Sequence, residues 1–249
     1  SLGGLSSHDA SFAYFDSPLL EVIAVAFMLV ASCNFALYFI ALRKGHWQGF
    51  WRDPEMHATM VALIGGGLVV ALRSGIYRAP VWGGELVQIV AAPYDTATMR
   101  FNDGKADPLG RFWSGTIHEP RDAKAAQLWS LDCRGPAPLL QSKAGEATTG
   151  NGLAWSPDAR TLYWTDTPGH TIRAWDWDAA SNTLSRPRVF ASWPGKPAHW
   201  QPGLPDNGGY GGRPDGAAVD VDGNYWVAMF EGGRVLQLSP GGELDRKSV

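Results

Sequence analysis

The feature that most constrains the fold is a strand–turn–strand pattern that recurs along most of the chain. Each copy has a turn with Gly or Asp, an apolar strand, a polar turn and a second strand with alternating apolar residues. The copies follow one another at intervals of roughly 45 to 65 residues. They are Gly65–Ala79, Pro108–Asp132, Asp158–Asp178 and Asp222–Pro240. A repeat of this size, built from short antiparallel strands, is typical of the blades of a β-propeller.

The composition agrees with many short strands joined by tight turns. The 249 residues include 30 Gly, 17 Pro and 12 Trp, a mixture that is unusual for a helical protein. A β-sandwich is the main alternative, and the regular recurrence of one pattern argues against it. The formal net charge of −3 gives no electrostatic reason to expect a nucleic acid partner. We therefore expect a mainly β fold with about four blades.

The N-terminal part of the chain differs from the repeats. Residues 22–42 contain no charged side chain, and a helix of about twenty residues spans the ~30 Å hydrocarbon core of a bilayer. Arg43 and Lys44 follow directly, which places the following residues in the cytoplasm by the positive-inside tendency. A signal peptide would instead have basic residues before the apolar run, and the uncharged length argues against a helix in a soluble core. We predict a transmembrane helix at about residues 18–44.

The same segment resembles the membrane subunit of Trk-type bacterial potassium uptake systems. The stretch GGLSSHDASFAYFDSP, with the apolar run and WRDPE after it, is similar to a pore loop and the helix that follows it in that family. The resemblance covers roughly residues 1–55 and implies that Gly3 and Gly4 come from a selectivity-filter loop. That family needs four such loops, so transport by this sequence alone is not expected. We interpret residues 1–60 as a pore-loop remnant with one transmembrane helix.

Short polar residues open the first strand of three repeats. The stretches NDGKAD, NGLAWS and DGAAVD can be aligned with Asp103, Asn151 and Asp215 at matching places. Equivalent positions on the inner strands of a propeller converge near its axis, and oxygen-bearing side chains there suit a hard cation such as Ca²⁺. The alternative is that Asn-Gly and Asp-Gly are only turn formers. Three polar residues in register favour a cation site, with Asp103 as a secondary candidate.

A second resemblance lies on these same stretches. RFNDGKADPLGRFWSGT, NGLAWSPDARTLYWTDT and PDGAAVDVDGNYWVA are similar to the gluconolactonase, senescence-marker-protein and luciferin-regenerating-enzyme family, from about residue 63 to the end. The members of that family are six-bladed β-propellers. The resemblance therefore implies that residues 61–249 form an incomplete six-bladed β-propeller, preceded by the transmembrane α-helix.

The family resemblance also implies a site. One divalent cation is expected, Ca²⁺ before Zn²⁺, Mn²⁺ or Mg²⁺, and the motifs that match assign Asn151 and Asp215 as its ligands. The substrate contacts of the RFNDG motif fall on Arg100 and Asn102. A further substrate-binding Glu of the family lies one place from Glu119.

The implied activity is the hydrolysis of a sugar lactone, with Asp215 as the catalytic residue that takes a proton from water. The third metal ligand of the family is a Glu near the start of its propeller, and neither Glu55 nor Glu85 lies in a matching motif. We therefore expect an impaired enzyme without the first and last blades. Two alternatives are a non-catalytic calcium-binding propeller tethered to the membrane, and a fragment of a potassium transporter.

The partners and location follow from these interpretations. We expect a small-molecule sugar lactone and, through the N-terminal helix, a membrane, with no nucleic acid and no clear protein partner. The predicted location is the bacterial inner membrane, with the propeller on the cytoplasmic side. If the N-terminal segment is not part of the natural protein, the predicted location is the cytoplasm.

Overall fold

The structure is a computed structural model that describes residues 68–81, 84–201 and 209–248. It divides into two compact units, residues 1–70 with 78–87 and residues 71–77 with 88–249. Every regular element among the described residues is a strand, and this part holds no helix that could cross a membrane. The transmembrane helix at 18–44 and the pore-loop remnant fall outside the described residues. The domain boundary at residue 60 also lies outside them and stays a prediction.

The described strands form one three-stranded sheet and three four-stranded sheets. Sheet I is β1-β2-β3, sheet II is β4-β5-β6-β7, sheet III is β8-β9-β10-β11 and sheet IV is β12-β13-β14-β15. The pairs of sheets II, III and IV are antiparallel and consecutive. The strands are β1 (Leu68–Leu72), β2 (Gly75–Ala79), β3 (Val87–Ala91), β4 (Met99–Ala106), β5 (Phe112–His118), β6 (Ala126–Asp132), β7 (Leu139–Ala147), β8 (Gly150–Trp155), β9 (Thr161–Asp166), β10 (Thr171–Asp178), β11 (Thr183–Ser192), β12 (Arg213–Val219), β13 (Tyr225–Phe230), β14 (Arg234–Leu238) and β15 (Leu244–Ser248).

The turn between the first two strands of sheets II and IV is built in the same way. Asp107 Oδ1 accepts hydrogen bonds from the backbone N–H groups of Leu109 and Arg111 at 2.8 and 3.0 Å. Asp220 Oδ1 accepts the corresponding bonds in sheet IV at 3.0 and 2.8 Å. An Asp side chain that bonds the backbone two residues on replaces a turn hydrogen bond, so these residues fix where each second strand begins.

The core lies between the faces of successive sheets. Trp113 of sheet II contacts Trp155 and Trp177 of sheet III edge to face, with ring centroids 5.7 and 6.3 Å apart. Between sheets III and IV, the rings of Tyr163 and Tyr225 lie 5.2 Å apart. Side chains of this kind bury large apolar areas and gain from edge-to-face geometry. Four-strand meanders packed face to face confirm the mainly β, propeller-like fold, while the number of blades stays a prediction.

The first strands of sheets II, III and IV carry the same irregularity. The register with the second strand shifts between Phe101 and Gly104 in sheet II, between Asn151 and Ala154 in sheet III, and between Pro214 and Ala217 in sheet IV. The shift leaves two residues of the first strand opposite one residue of its partner. This is a β-bulge, and a bulge turns side chains out of the regular alternation.

The register corrects one part of the sequence alignment. The turns of the three sheets begin at Asp107, Ser156 and Asp220, whose N–H groups bond across the turn. Counted back by the same number of residues from each turn (107 to 102, 156 to 151, 220 to 215), the matching residues are Asn102, Asn151 and Asp215. Asn102 and Asp215 are the first unpaired residues of their bulges, and Asn151 is the last paired residue before its bulge. Asp103 is one place further along, at the position of Gly152 and Gly216. The alignment on Asp103 was wrong because it followed the Asp-Gly pair instead of the turn.

Candidate active site

The candidate site lies where the three bulges meet. β8 lies between β4 and β12 and contacts both, so the equivalent residues of three successive sheets come together. Gly152 is required at this junction. Its φ is +58°, and a Cβ there would lie 2.6 Å from the Tyr225 hydroxyl and 2.8 Å from the backbone oxygen of Asp215. The absence of a side chain at Gly152 therefore allows β8 and β12 to approach closely.

Asn102 and Asn151 are in direct contact. Asn102 Nδ2 donates to Asn151 Oδ1 at 2.7 Å and to the backbone oxygen of Gly150 at 3.1 Å. Asn151 Nδ2 in turn donates to Thr167 Oγ1 at 2.9 Å. Asn151 is buried, so these bonds hold the orientation of its amide. The predicted substrate contact and the predicted metal ligand are thus two links of one hydrogen-bonded chain.

The chain continues outward through two arginines and one glutamate. Arg100 Nη1 donates to Asn102 Oδ1 at 3.1 Å, and Arg100 Nε donates to Glu119 Oε1 at 3.1 Å. Arg73 forms two further bonds of 2.8 Å with the two carboxylate oxygens of Glu119. These hydrogen bonds, those from Arg73 first, hold the pKa of Glu119 below its ordinary value, and burial opposes them. Glu119 is therefore an ionised acceptor and not a proton donor at neutral pH.

Two carboxylates lie beside this chain. Burial raises the pKa of Asp103, and a backbone hydrogen bond from the N–H of Leu153 at 3.3 Å opposes the rise. Burial also raises the pKa of Asp215, the negative charge of Asp103 adds to it, and Arg213 opposes it. Burial is the cause that the two carboxylates share, and repulsion by Asp103 raises the pKa of Asp215 further. A cation placed between them would relieve that repulsion.

The donor set has the chemistry of a hard-cation site but is small. Asn151 Oδ1 and the Asp215 carboxylate are oxygen ligands of the kind that Ca²⁺ and Mg²⁺ take. Asn151 Oδ1 has a second lone pair beside the bond from Asn102. In the part of the chain that the structure describes, no group of three or more His, Cys, Asp or Glu could hold a metal ion. Of the two glutamates considered as a third ligand, Glu55 falls outside the described residues.

The structure therefore brings together most of the residues that the sequence singled out. Arg100, Asn102, Glu119 and Asn151 form one hydrogen-bonded chain, and Asp103 and Asp215 interact through their charges. Sequence reasoning missed two further residues. Thr167 follows β9 in the stretch TDT, and Arg73 lies in the turn of the first repeat. Neither has a sequence signal of its own, because each acts only through a contact with a distant strand.

The comparisons with known proteins identify the family of the chain. The family model described as "SMP-30/Gluconolactonase/LRE-like region" matches residues 32–248. A 6-deoxy-6-sulfogluconolactonase of Pseudomonas putida is 42% identical over 181 residues, which are 72% of this chain and 56% of the relative. A regucalcin of Danio rerio is 33% identical over 178 residues, 70% of this chain and 54% of the relative. The chain thus spans a little over half the length of these curated relatives.

A solved structure shows the same fold. A luciferin-regenerating enzyme superposes with a TM-score of 0.60 and 27% identity, over 74% of this chain and 58% of that one. The comparisons do not support the resemblance of residues 1–55 to a potassium uptake subunit. The family match begins at residue 32, inside the segment that the sequence analysis had assigned to that subunit.

Proposed function

Because this chain belongs to the SMP-30/gluconolactonase/LRE-like family, we propose that the protein hydrolyses sugar lactones with one divalent cation. The observation that carries the proposal is the bond of 2.7 Å between Asn102 and Asn151. It joins a residue assigned to the substrate to one assigned to the cation, as a reaction between the two requires. The lactone class is supported by the P. putida relative, which is named for a lactone with a sulfonate at C6.

In this proposal the outer residues hold the substrate. Arg100 donates hydrogen bonds to the oxygens of the lactone. Both N–H groups of Asn102 already bond Asn151 and Gly150, so Asn102 Oδ1 and the ionised Glu119 accept hydrogen bonds from sugar hydroxyls. Arg100 is kept in place by Glu119 at 3.1 Å, so its guanidinium is positioned before the substrate arrives. Positioning of this kind lowers the entropic cost of reaching the transition state.

The inner residues hold the cation and move the proton. Asn151 and Asp215 are its proposed ligands from this part of the chain. When bound, the cation supplies Lewis acidity at the carbonyl and increases the acidity of water. Asp215 accepts the proton of the attacking water and returns one to the leaving alkoxide. Asn102 holds the Asn151 amide with its oxygen in the direction of the site.

The test is lactone hydrolysis by the purified protein. D-Glucono-δ-lactone is followed with a pH indicator after chelation and after addition of Ca²⁺, Zn²⁺, Mn²⁺ or Mg²⁺. The proposal expects metal-dependent hydrolysis above the spontaneous rate, reduced roughly 100-fold or more in Asp215→Asn. Asp222→Asn, an exposed carboxylate in the turn of the same sheet, is the matched control. A rate at background with all four metals would reject the proposal.

A further inference from the structure

A second ion-pair cluster lies at the start of β12. We call it the Arg213 cluster, and it consists of Lys196, Arg213 and Glu231. Lys196 Nζ lies 2.8 Å and Arg213 Nη2 3.3 Å from the same oxygen, Glu231 Oε1. The Tyr210 hydroxyl donates to the other oxygen, Oε2, at 3.3 Å. Two cations share one carboxylate, so the cluster carries an excess positive charge.

The repeat places this cluster in the same position as a residue of the candidate site. Arg213 precedes Asp215 by two residues, as Arg100 precedes Asn102, and the two arginines are equivalent by the register of their strands. Each arginine pairs with a glutamate that follows the second strand of its own sheet, Glu119 after β5 and Glu231 after β13. The arrangement of Arg100 is thus repeated two sheets later.

Arg213 is close to the cation ligand of that site. Residues two apart in an extended strand have Cα atoms ~6.6 Å apart, which is the scale of a lactone derived from a hexose. The charge of Arg213 acts on Asp215, which agrees with this proximity. A lactone whose carbonyl is at Asp215 would therefore direct its far end toward Arg213.

The cluster has spare capacity for an anion and is held rigid. Arg213 Nε is buried and has no hydrogen-bond partner among the described residues. The guanidinium stacks over Phe230 at 5.1 Å, and the Lys196 ammonium lies 3.9 Å from the ring centre of Trp200. Cation–π contacts of this kind fix charged side chains that would otherwise lose entropy on binding. A guanidinium with a free donor next to an ammonium is a recognition site for sulfonate, phosphate or carboxylate.

We propose that Arg213 and Lys196 form an anion subsite, so that the preferred substrates are lactones with an anionic group at the end remote from the carbonyl. The proposal rests on the proposed function for the position of the lactone ring. Glu231 holds the two cations in place and neutralises only one of them. The anion accepts hydrogen bonds from Arg213 and lies within reach of the Lys196 ammonium.

Calorimetric titration of hydrolysed lactones tests the subsite without turnover. The probes are gluconate, 6-deoxy-6-sulfogluconate and 6-phosphogluconate, titrated into the purified protein at low salt. We expect the sulfonate or the phosphate to bind at least about 10-fold more tightly than gluconate, and the ratio to fall as salt is added. The comparison of 6-deoxy-6-sulfogluconate with 6-phosphogluconate distinguishes a sulfonate site from a phosphate site. Equal affinity for all three probes, or no binding of either probe with an anionic group at C6, would overturn the proposal.

Variants assign the preference to the cluster. Arg213→Met and Lys196→Met are each expected to remove most of the affinity ratio between the probes with an anionic group at C6 and gluconate, which has a hydroxyl there. Lys196 is the second variant because its partly exposed side chain can be changed with little risk to folding. Arg188→Met is the control, since Arg188 pairs with Asp176 on the outer strands of sheet III. A ratio that survives both cluster variants would overturn the proposal.

The same experiments separate this inference from the proposed function. If the protein binds the probes with an anionic group at C6 more tightly but opens no lactone, the anion subsite is supported and the proposed hydrolase activity is contradicted. If the protein opens gluconolactone but binds all three probes with equal affinity, the proposed hydrolase activity is supported and the anion subsite is contradicted.

Discussion

At the scale of single residues, the site depends on the orientation of one amide. Asn151 Oδ1 is the proposed cation ligand, and its direction is set by Asn102 on one side and Thr167 on the other. Partners that orient a ligand contribute strongly to metal affinity although they do not touch the ion. The same Asn102 is the proposed substrate contact, so one side chain links the two functions.

We predict that Asn102→Ala weakens both functions together. Without the bond of 2.7 Å to Asn151, the affinity for the divalent cation should fall about 10-fold or more, and the KM for the lactone should rise. Calorimetric titration of the metal and steady-state kinetics measure the two effects. Gln141→Ala, an amide on the exposed outer strand β7, is the control. An unchanged metal affinity would show that Asn102 does not orient the ligand.

Arg73 should act on the substrate alone. Its two bonds of 2.8 Å hold Glu119. Among the described residues, its hydrogen bonds do not extend to Asn151 or Asp215. Arg73→Met should therefore raise the KM for the lactone roughly 10-fold, because hydrogen bonds to charged groups contribute about 1.5–3 kcal/mol. The metal affinity should stay the same. A fall in metal affinity with an unchanged KM would contradict the account.

The residue scale also shows what the sequence could and could not provide. The motifs singled out Arg100, Asn102, Asn151 and Asp215 because their residue types are local. The choice between Asn102 and Asp103 is different, since the two polar residues are adjacent and both lie in the bulge of β4. Only the contact of Asn102 with Asn151 on the neighbouring sheet distinguishes them. Arg73 and Thr167 could not be found, because their roles exist only after distant strands have packed.

At the scale of elements, the first turns of sheets II and IV share one contact, in which the aspartate that begins the turn bonds the indole N–H of a tryptophan in the following strand. Asp107 Oδ2 accepts a bond from Trp113 Nε1 at 2.9 Å, and Asp220 Oδ2 accepts one from Trp226 Nε1 at 2.8 Å. The hairpins of the repeats could be predicted because their Gly- or Asp-bearing turns and alternating apolar residues are local features of the sequence. The bulges were not visible, since a bulge has no residue signature apart from an occasional glycine.

The two turns should differ in their contribution to stability. Asp107 is buried and also pairs with the buried Arg111 at 3.2 Å. Asp107→Ala therefore leaves the buried indole N–H of Trp113 without its partner and removes one of the two carboxylates that pair with Arg111, the other being Asp132. We expect a loss of about 3–5 kcal/mol in the free energy of unfolding. Asp220→Ala should cost less, about 1–2 kcal/mol, because this turn is partly exposed. Urea unfolding of both variants measures the difference, and equal losses would contradict it.

At the scale of the whole molecule, the function depends on bringing three first strands together. Each sheet supplies one polar residue at its bulge, and no sheet holds a site alone. Recurrence of the pattern along the chain predicted the propeller-like arrangement, because repeats of this kind bury their faces only against neighbours. The sequence could not define the contacts between the first strands. These depend on how closely β8 and β12 approach at Gly152.

The most direct test of the account is calorimetric titration of Ca²⁺ and Zn²⁺ into the purified protein, with Asp215→Ala and the control Asp222→Ala. The account predicts one site, with binding that is lost in Asp215→Ala and unchanged in Asp222→Ala. That result would establish that the bulges of successive sheets form a single cation site. Absence of binding, or binding that survives Asp215→Ala, would contradict the central claim.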